Sequence, residues 1–372
     1  MEGYSVKIAY IAIKGMPIGG GIEKLTEEIG SRMAARGHEV VVYSSRDYGT
    51  VDCIYKGMKI KTVPSANTKT LHKLSICLNA VLDVRKDKRH FDMVHIHAVG
   101  PSLFALFTRL MGIPTVVQTH GLEWKRDKWG PAGRLFFKLA DLTAVFFPHA
   151  TTAVSQVQKA YYEKKFKKPI VYIPTGVNRV RRRVPDWIIK QGLMPNRYIL
   201  FAARLVEEKG AHFLIEAFRS INTDFKMVVA GDAAYSESYK SKLKKMAAGD
   251  DRFLFPGFVS GANLEELFSN AYIFCLPSTI EGLPIALLEA MSYGNCCLAS
   301  NIPENVEAMK NYGYFFANRN VEDLRAVLND LIKHPEKVEN MKRTAQEYVI
   351  RNYSWDKIAD QLNDLYMTLI SK

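Results

Sequence analysis

The chain begins with a run of apolar positions from Val6 to Ile13, broken only by Lys7, which is the pattern of a strand buried on both faces of a parallel sheet. The run leads directly into Gly15-Met16-Pro17-Ile18-Gly19-Gly20-Gly21, and a helix is expected from about Ile22 to Arg36. Gly37 suits the left-handed position that ends a helix, and Glu39-Val40-Val41-Val42-Tyr43 follows as the next strand. These segments form a β-α-β unit with a glycine-rich first turn. Strand-like runs at Met93–His97, Thr115–Gln118, Thr152–Val154 and Pro169–Pro174 alternate with helical stretches, so the first half is expected to be a doubly wound α/β layer.

The same alternation restarts after a change of composition. Residues 176 to 197 combine Gly176, Pro185, Gly192 and Pro195 with Arg179, Arg181, Arg182 and Arg183, as a hinge with a charged surface would. Beyond it, strands are expected at Tyr198–Ala202, Phe225–Ala230, Arg252–Phe255 and Tyr272–Leu276. At 372 residues the chain is too long for one ordinary core and suits two. The expected organisation is a first α/β domain over 1–178, a hinge over 179–196, a second over 197–353 and a terminal helix over 354–372. That helix carries Ile358, Leu362, Leu365 and Leu369 on one stripe and must pack on something, which in this architecture is the first domain.

Composition narrows the class. Apolar residues make up 48% and charged residues 24%, which excludes disordered and fibrous proteins. No uncharged apolar stretch reaches the roughly 18 residues of a membrane span. Met1-Glu2-Gly3 lacks the basic start of a signal peptide, so a cytoplasmic location is expected. The five cysteines, Cys53, Cys77, Cys275, Cys296 and Cys297, include no C-x-x-C pair and sit mostly in apolar runs, as buried thiols do. The net charge of +13 calls for a polyanionic partner, and nucleic acid, anionic lipid headgroups and phosphorylated substrates all qualify. No nucleic-acid reading motif accompanies the charge, and a non-catalytic polyanion binder would leave the following segments unexplained.

In open parallel sheets, ligands bind beyond the carboxyl ends of strands, where loops and helix N-termini aim N–H groups at phosphate. Three segments have that chemistry. Gly19, Gly20 and Gly21 permit close backbone approach at a helix start, although a plain tight turn would use them too. Arg204 and Lys209 follow the first strand of the second half, where two cations suit a pyrophosphate; taken singly, each is as easily a surface ion-pair residue. Glu281-Gly282-Leu283-Pro284 joins a strand to an apolar helix that contains Glu289. Glu281 there suits sugar hydroxyls, and Glu289 is expected to lie too deep in apolar sequence to go unpaired, so ribose hydroxyls or a buried cation should satisfy it. The plain alternative makes Glu281 a helix N-terminal charge.

With Glu281…Glu289 as an E-x7-E pair, Arg204…Lys209-Gly210 as an R-x4-K-G loop and Gly19-Gly20-Gly21 as the first turn, the chain resembles the family-four glycosyltransferases over nearly its whole length. His95-Ile96-His97, Gln118-Thr119-His120-Gly121, Ile173-Pro174-Thr175-Gly176-Val177-Asn178 and Tyr353-Ser354-Trp355-Asp356 fit in order and spacing. Thr175 and Asn178 depart from the usual Asn and Asp and receive no role. The resemblance implies a GT-B fold, two Rossmann-like domains facing across a cleft, and a retaining transfer from a nucleoside-diphosphate sugar. It implies that Arg204 and Lys209 hold the donor phosphates, Glu281 the transferred sugar and Glu289 the ribose, that Gly282, Leu283 and Pro284 line the donor site, and that His120 contacts the donor sugar. From the residues alone, His120, His95 and His97 are as well read as structural groups.

Glycan or lipid-linked acceptors are the expected partners, because the segment from Gly121 to Gly130 resembles a subgroup in polysaccharide assembly that includes rhamnosyltransferases. Trp124 and Trp129 interleaved with Lys125, Arg126 and Lys128 would suit a lipid diphosphate or an anionic membrane surface, and an ordinary solvated helix with buried aromatics would also explain them. Breaking the anomeric bond leaves negative charge on the departing diphosphate, which cations stabilise directly. With Arg204 and Lys209 in that role and no D-x-D segment present, no metal cofactor is expected. An epimerase or phosphorylase of related fold is the alternative enzyme.

Overall fold

A computed structural model describes residues 5–17, 20–66, 72–87, 90–233 and 237–371. The chain divides into two compact units, one made of Met1–Gly176 with Trp355–Lys372, the other of Val177–Ser354.

In the first unit the chain order is β1 (Lys7–Ile11), α1 (Gly21–Ala35), β2 (Glu39–Ser45), β3 (Cys53–Tyr55), β4 (Met58–Val63), α2 (His72–Lys86), β5 (Met93–His97), α3 (Ala105–Leu110), β6 (Thr115–Thr119), α4 (Pro131–Phe146), β7 (Ala150–Ala153), α5 (Gln156–Phe166) and β8 (Val171–Tyr172). The sheet order is β3-β4-β2-β1-β5-β6-β7-β8, and chain order reverses between β1 and β5. β1 is buried along its whole length, which explains its unbroken apolar sequence. Its Lys7 is held by Asp87 at 2.8 Å.

Among the described residues one pair of strands is antiparallel, the β3–β4 hairpin at the sheet edge. Lys56 and Gly57 between them have φ of 48° and 79°, the paired left-handed geometry of a tight hairpin turn. Cys53 is exposed there, whereas the other four cysteines are buried thiols.

The second unit runs α6 (Trp187–Lys190), β9 (Tyr198–Ala202), α7 (Ala211–Arg219), β10 (Lys226–Ala230), α8 (Glu237–Ala247), β11 (Phe253–Gly257), α9 (Gly261–Asn270), β12 (Ile273–Leu276), α10 (Ile285–Ser292), β13 (Cys296–Ser300), α11 (Pro303–Met309), β14 (Tyr314–Phe316), α12 (Val321–Lys333) and α13 (Pro335–Asn352). Its six parallel strands lie in the order β11-β10-β9-β12-β13-β14, so the reversal falls between β9 and β12. Ile199, Phe201, Leu214, Phe218 and Val229 are among the side chains that fill one face. The arginine-rich stretch expected as a hinge is packed on this unit: Arg182 donates to the Ser269 carbonyl at 2.8 Å, and Glu266 accepts from the Ile188 amide at 2.9 Å.

The last helix, α14 (Trp355–Ile370), belongs to the first unit. Trp355, Ile358, Leu362 and Tyr366 are buried in one cluster with Tyr10 and Ile29, while Leu365 and Leu369 pack at its margin. Arg32 of α1 reaches Asp356 at 2.7 Å, and Arg36 pairs with Asp360. Gly176 admits the Trp355 ring, because a Cβ there would stand 2.7 Å from it. Among the described residues no helix is long and apolar enough to cross a membrane.

Candidate active site

In the second unit the predicted donor residues lie where the strand order reverses. β9 and β12 are neighbours, and the loop after β9 carries Arg204 and Lys209 while the loop after β12 carries Glu281. The loops are tied together: the Thr279 amide donates to the Glu208 carbonyl at 2.9 Å. Lys209 Nζ lies 2.6 Å from Glu281 Oε1, with little of either side chain in solvent. Burial forces this pairing, since either charge alone would lose its hydration without replacement.

Two glycines allow the loops to close. Gly210 has φ of 73°, and a Cβ on it would stand 2.0 Å from the Pro277 carbonyl oxygen. Gly231, after β10, would meet the Ala203 carbonyl oxygen at 1.9 Å. Side chains at either position would push the cation-bearing loop away from its neighbours.

Arg204 does not join Lys209. Its side chain is 59% exposed and lies 3.7 Å from Glu208. Gly282, Leu283 and Pro284 are buried, and the Pro284 carbonyl accepts from the Leu287 and Leu288 amides as α10 begins. Glu289 is half-buried, as are Ile285 and Ala286, while Leu288 and Ala290 of the same helix are buried. Glu289 is thus less deep than its apolar sequence neighbours suggest.

In the first unit, the carboxyl ends of β1, β5 and β6 gather a second group. Gly20 and Gly21 open α1 there, and Gly19 lies outside the described residues. Glu23, in the first turn of α1, accepts from the Lys14 amide at 3.3 Å. His97 ends β5 and His120 follows β6, with His97 Nδ1 3.2 Å from His120 Nε2. His95 and His97, two apart on one strand face, stack at 4.5 Å between ring centres. His95 Nδ1 meets the Tyr366 hydroxyl, which donates to Tyr10 Oη at 3.2 Å.

Proton positions follow from the partners. Burial, with nearby Lys73 adding to it and Glu123 opposing it, pushes His120 down to about 3, and burial pushes His97 well below its usual range with help from His95 and His120. Both rings are neutral and carry one proton each. Thr26 donates its hydroxyl proton to the Ile22 carbonyl at 2.9 Å and so accepts from His97 Nε2 at 3.3 Å. His97 Nδ1 then accepts from His120 Nε2, which leaves His120 with its lone pair on Nδ1. Lys73, from α2, faces the same charges: burial lowers its pKa, Glu23 opposes that and Lys14 adds to it.

The expected acceptor segment is folded on itself. Arg126 Nε lies 2.9 Å from Glu123, Lys128 is 3.5 Å away, and Trp129 Nε1 donates to the same carboxylate at 3.4 Å. Burial pushes Glu123 up, but these cations and the indole outweigh it, and its pKa is lowered. Trp124 packs on Tyr161 at 6.0 Å beneath Lys125 and Lys138, Trp129 packs on Phe137 at 4.8 Å, and both indoles are half-buried. Sequence reasoning assigned no role to Thr26, Lys73, Lys14 or Glu23, which come from separate helices and loops. Of the histidine group, the resemblance singled out His120, and His95 and His97 were read as structural groups.

Comparison with known proteins decides the family. The model for Glycosyltransferase Family 4 matches residues 19–181, and that for glycosyl transferases group 1 matches 185–348. The chain belongs to these glycosyltransferases. This glycosyltransferase is similar to the Escherichia coli UDP-Gal:alpha-D-GlcNAc-diphosphoundecaprenol alpha-1,3-galactosyltransferase, at 23% identity over 98% of this chain and 97% of the relative. It is also similar to a Mycobacterium tuberculosis GDP-mannose-dependent alpha-(1-6)-phosphatidylinositol monomannoside mannosyltransferase, at 26% identity over 94% of each. Among solved structures, Anabaena HepE in complex with UDP and glucose superposes with a TM-score of 0.82 at 17% identity, covering 98% of this chain and all of that one. Sucrose-phosphate synthase from Thermosynechococcus elongatus gives 0.84 at 19% identity, covering 98% and 99%. The glycosyltransferase therefore has the GT-B fold.

Proposed function

We propose that this glycosyltransferase moves a hexose or deoxyhexose, with retention at the anomeric carbon, from a nucleoside-diphosphate sugar to a glycan or lipid-linked acceptor in cell-surface polysaccharide or glycoconjugate synthesis. The observation that carries the reading is the Lys209–Glu281 pair at the strand reversal of the second unit. An arriving diphosphate competes for the Lys209 ammonium, and Glu281, released from it, becomes an acceptor for sugar hydroxyls. As the anomeric C–O bond breaks, its electron pair leaves with the diphosphate, where Lys209 and a recruited Arg204 stabilise it. The acceptor hydroxyl supplies the new bond and loses its proton to the departing phosphate oxygen. No metal ion is invoked for that charge. His120, neutral and with an accepting Nδ1, takes a hydrogen bond from a donor-sugar hydroxyl. Peripheral attachment to an anionic membrane from the cytoplasm fits the net charge of +13 and the diphospholipid and phosphatidylinositol acceptors in the relatives' names.

The test is thermal stabilisation by UDP, GDP, dTDP and ADP and their sugars, on the wild type and on Glu289→Ala. A ligand at a hundred times its dissociation constant stabilises by about 2.7 kcal/mol, a readily measured shift. One base should stand out, with the shift reduced in the variant. No shift with any nucleotide would overturn the reading.

A further inference from the structure

α4 buries Ala140, Asp141, Ala144 and Val145 and turns a second apolar face outward. On that face Leu135, Phe136, Leu139, Leu142 and Phe146 are exposed, Leu135 to 59% and Leu139 to 55%. α3 packs beside it and adds Leu106, Phe107 and Leu110, the last 76% exposed. Eight large apolar side chains on two neighbouring helices are more than a soluble surface ordinarily shows, which points to a partner.

The rim of this face is basic. Arg134 and Lys138 rise from α4 itself, and Arg109 from α3. Lys168 lies 5.8 Å over the Phe146 ring, and Lys165 lies 4.7 Å over Phe166, which meets Phe146 edge-on. The one acidic residue of α4, Asp141, is buried beneath Tyr162, whose hydroxyl donates to it at 2.9 Å. Asp127 is an acidic neighbour of this rim, 3.6 Å from Arg134, and the other named rim side chains are cations. An apolar centre with a mostly basic rim is complementary to acyl chains beneath anionic headgroups. A second copy docked by the same face would bring lysine against lysine.

We infer that the α3–α4 face is where this glycosyltransferase inserts into an anionic bilayer surface, and that the Trp124–Trp129 segment is not. The inference rests on the membrane-attachment part of the proposed function and assigns it to named side chains. Leu110, Leu135 and Leu139 enter the acyl boundary while Arg134, Lys138 and Lys168 stay at headgroup level.

The experiment is flotation of the full chain with vesicles of phosphatidylcholine alone or mixed with phosphatidylglycerol, at low and high salt. The wild type should float with the mixed vesicles and lose most of that binding at high salt. Leu110→Ser/Leu135→Ser/Leu139→Ser should weaken flotation at least tenfold, and Arg134→Glu/Lys138→Glu should abolish the preference for phosphatidylglycerol. Trp124→Phe/Trp129→Phe should float within twofold of wild type. Melting temperature, and its shift by the most stabilising of UDP, GDP, dTDP and ADP, should stay at wild-type values in the leucine variant. Wild type that does not float, a leucine variant that floats undiminished, or a tryptophan variant that alone fails overturns the inference. A wild-type dimer that the leucine variant makes monomeric assigns the face to a second copy and overturns it as well. A nucleotide-induced shift without flotation leaves the transfer reaction standing while the docking face falls; flotation with no shift does the reverse.

Discussion

At the scale of single residues, the Lys209–Glu281 pair mixes two contributions that substitution can separate. Lys209→Met leaves a buried, unpaired carboxylate and should cost about 3–5 kcal/mol of stability. It should also lower turnover about 10²–10³-fold through loss of a cation at the leaving group. Lys209→Met/Glu281→Leu removes both charges and should recover most of the melting temperature while transfer stays low. Recovery of activity along with stability would make the pair purely structural. The histidine relay gives a spectroscopic prediction: nitrogen NMR should find His120 protonated on Nε2, and Thr26→Val, which removes the acceptor of His97 Nε2–H, should mix the two tautomers. A proton on His120 Nδ1 in the wild type would contradict the assignment. Residue roles were only partly legible in the sequence. Lys209 and Glu281 stood out because strand ends concentrate ligand chemistry, but their mutual ion pair needs two loops 72 positions apart to meet. Arg204, beside Lys209 in sequence, proved exposed and paired with Glu208, since a loop residue's direction depends on turns that spacing does not encode.

Elements were easier to foresee than their edges. Long apolar strands and the striped terminal helix announce themselves through periodicity, whereas the β3–β4 hairpin turns on Lys56-Gly57, a weaker signal than Asn-Gly or Asp-Gly. The short strands β13 and β14 were likewise missed, the first within a run that continues from an apolar helix. Gly210 is where an element boundary matters most. Gly210→Ala meets both a left-handed φ and the Pro277 carbonyl, so it should cost about 1–3 kcal/mol in the melting transition. Displacing the Lys209 loop by an ångström should lower kcat by about 10². At α14 the apolar face outweighs the ion pairs. Leu362→Ala should cost about 2–5 kcal/mol by denaturant unfolding. Asp360→Ala, which removes a largely exposed bridge to Arg36, should cost under about 1 kcal/mol. Equal losses would mean that charge, not burial, holds this helix.

For the molecule as a whole, the duplicated α/β alternation was readable because each parallel strand must be followed by a crossover, while the membership of residues 179–196 was not. Glycine and arginine content marks exposed chain, yet Ile188 is buried and the stretch is fixed by Glu266. A second whole-molecule property follows from burial, the dependence of stability on pH. Desolvation holds His95 at about 3, His120 at about 3 and His97 lower than normal, and it lowers His149 and His212 too. A folded-state value below the unfolded one, near 6.5, means that unfolding takes up protons in acid. The stability these neutral rings represent is complete above that value and is lost progressively as pH falls toward 3. Asp141 acts in the opposite sense. Burial raises it to about 6, above its unfolded value near 4, so the folded state gains protons first and Asp141 favours folding as pH drops through 6. Several histidines against one aspartate leave a net loss. The melting temperature should fall between pH 6.5 and 5, in a window above the titration of carboxylates whose values are lowered. Asp141→Asn should make that fall steeper by removing the opposing contribution, and His95→Gln should make it shallower. A melting temperature that is flat over this range would show that the buried rings take up protons without unfolding, and a fall that Asp141→Asn makes shallower would overturn the sign given to Asp141.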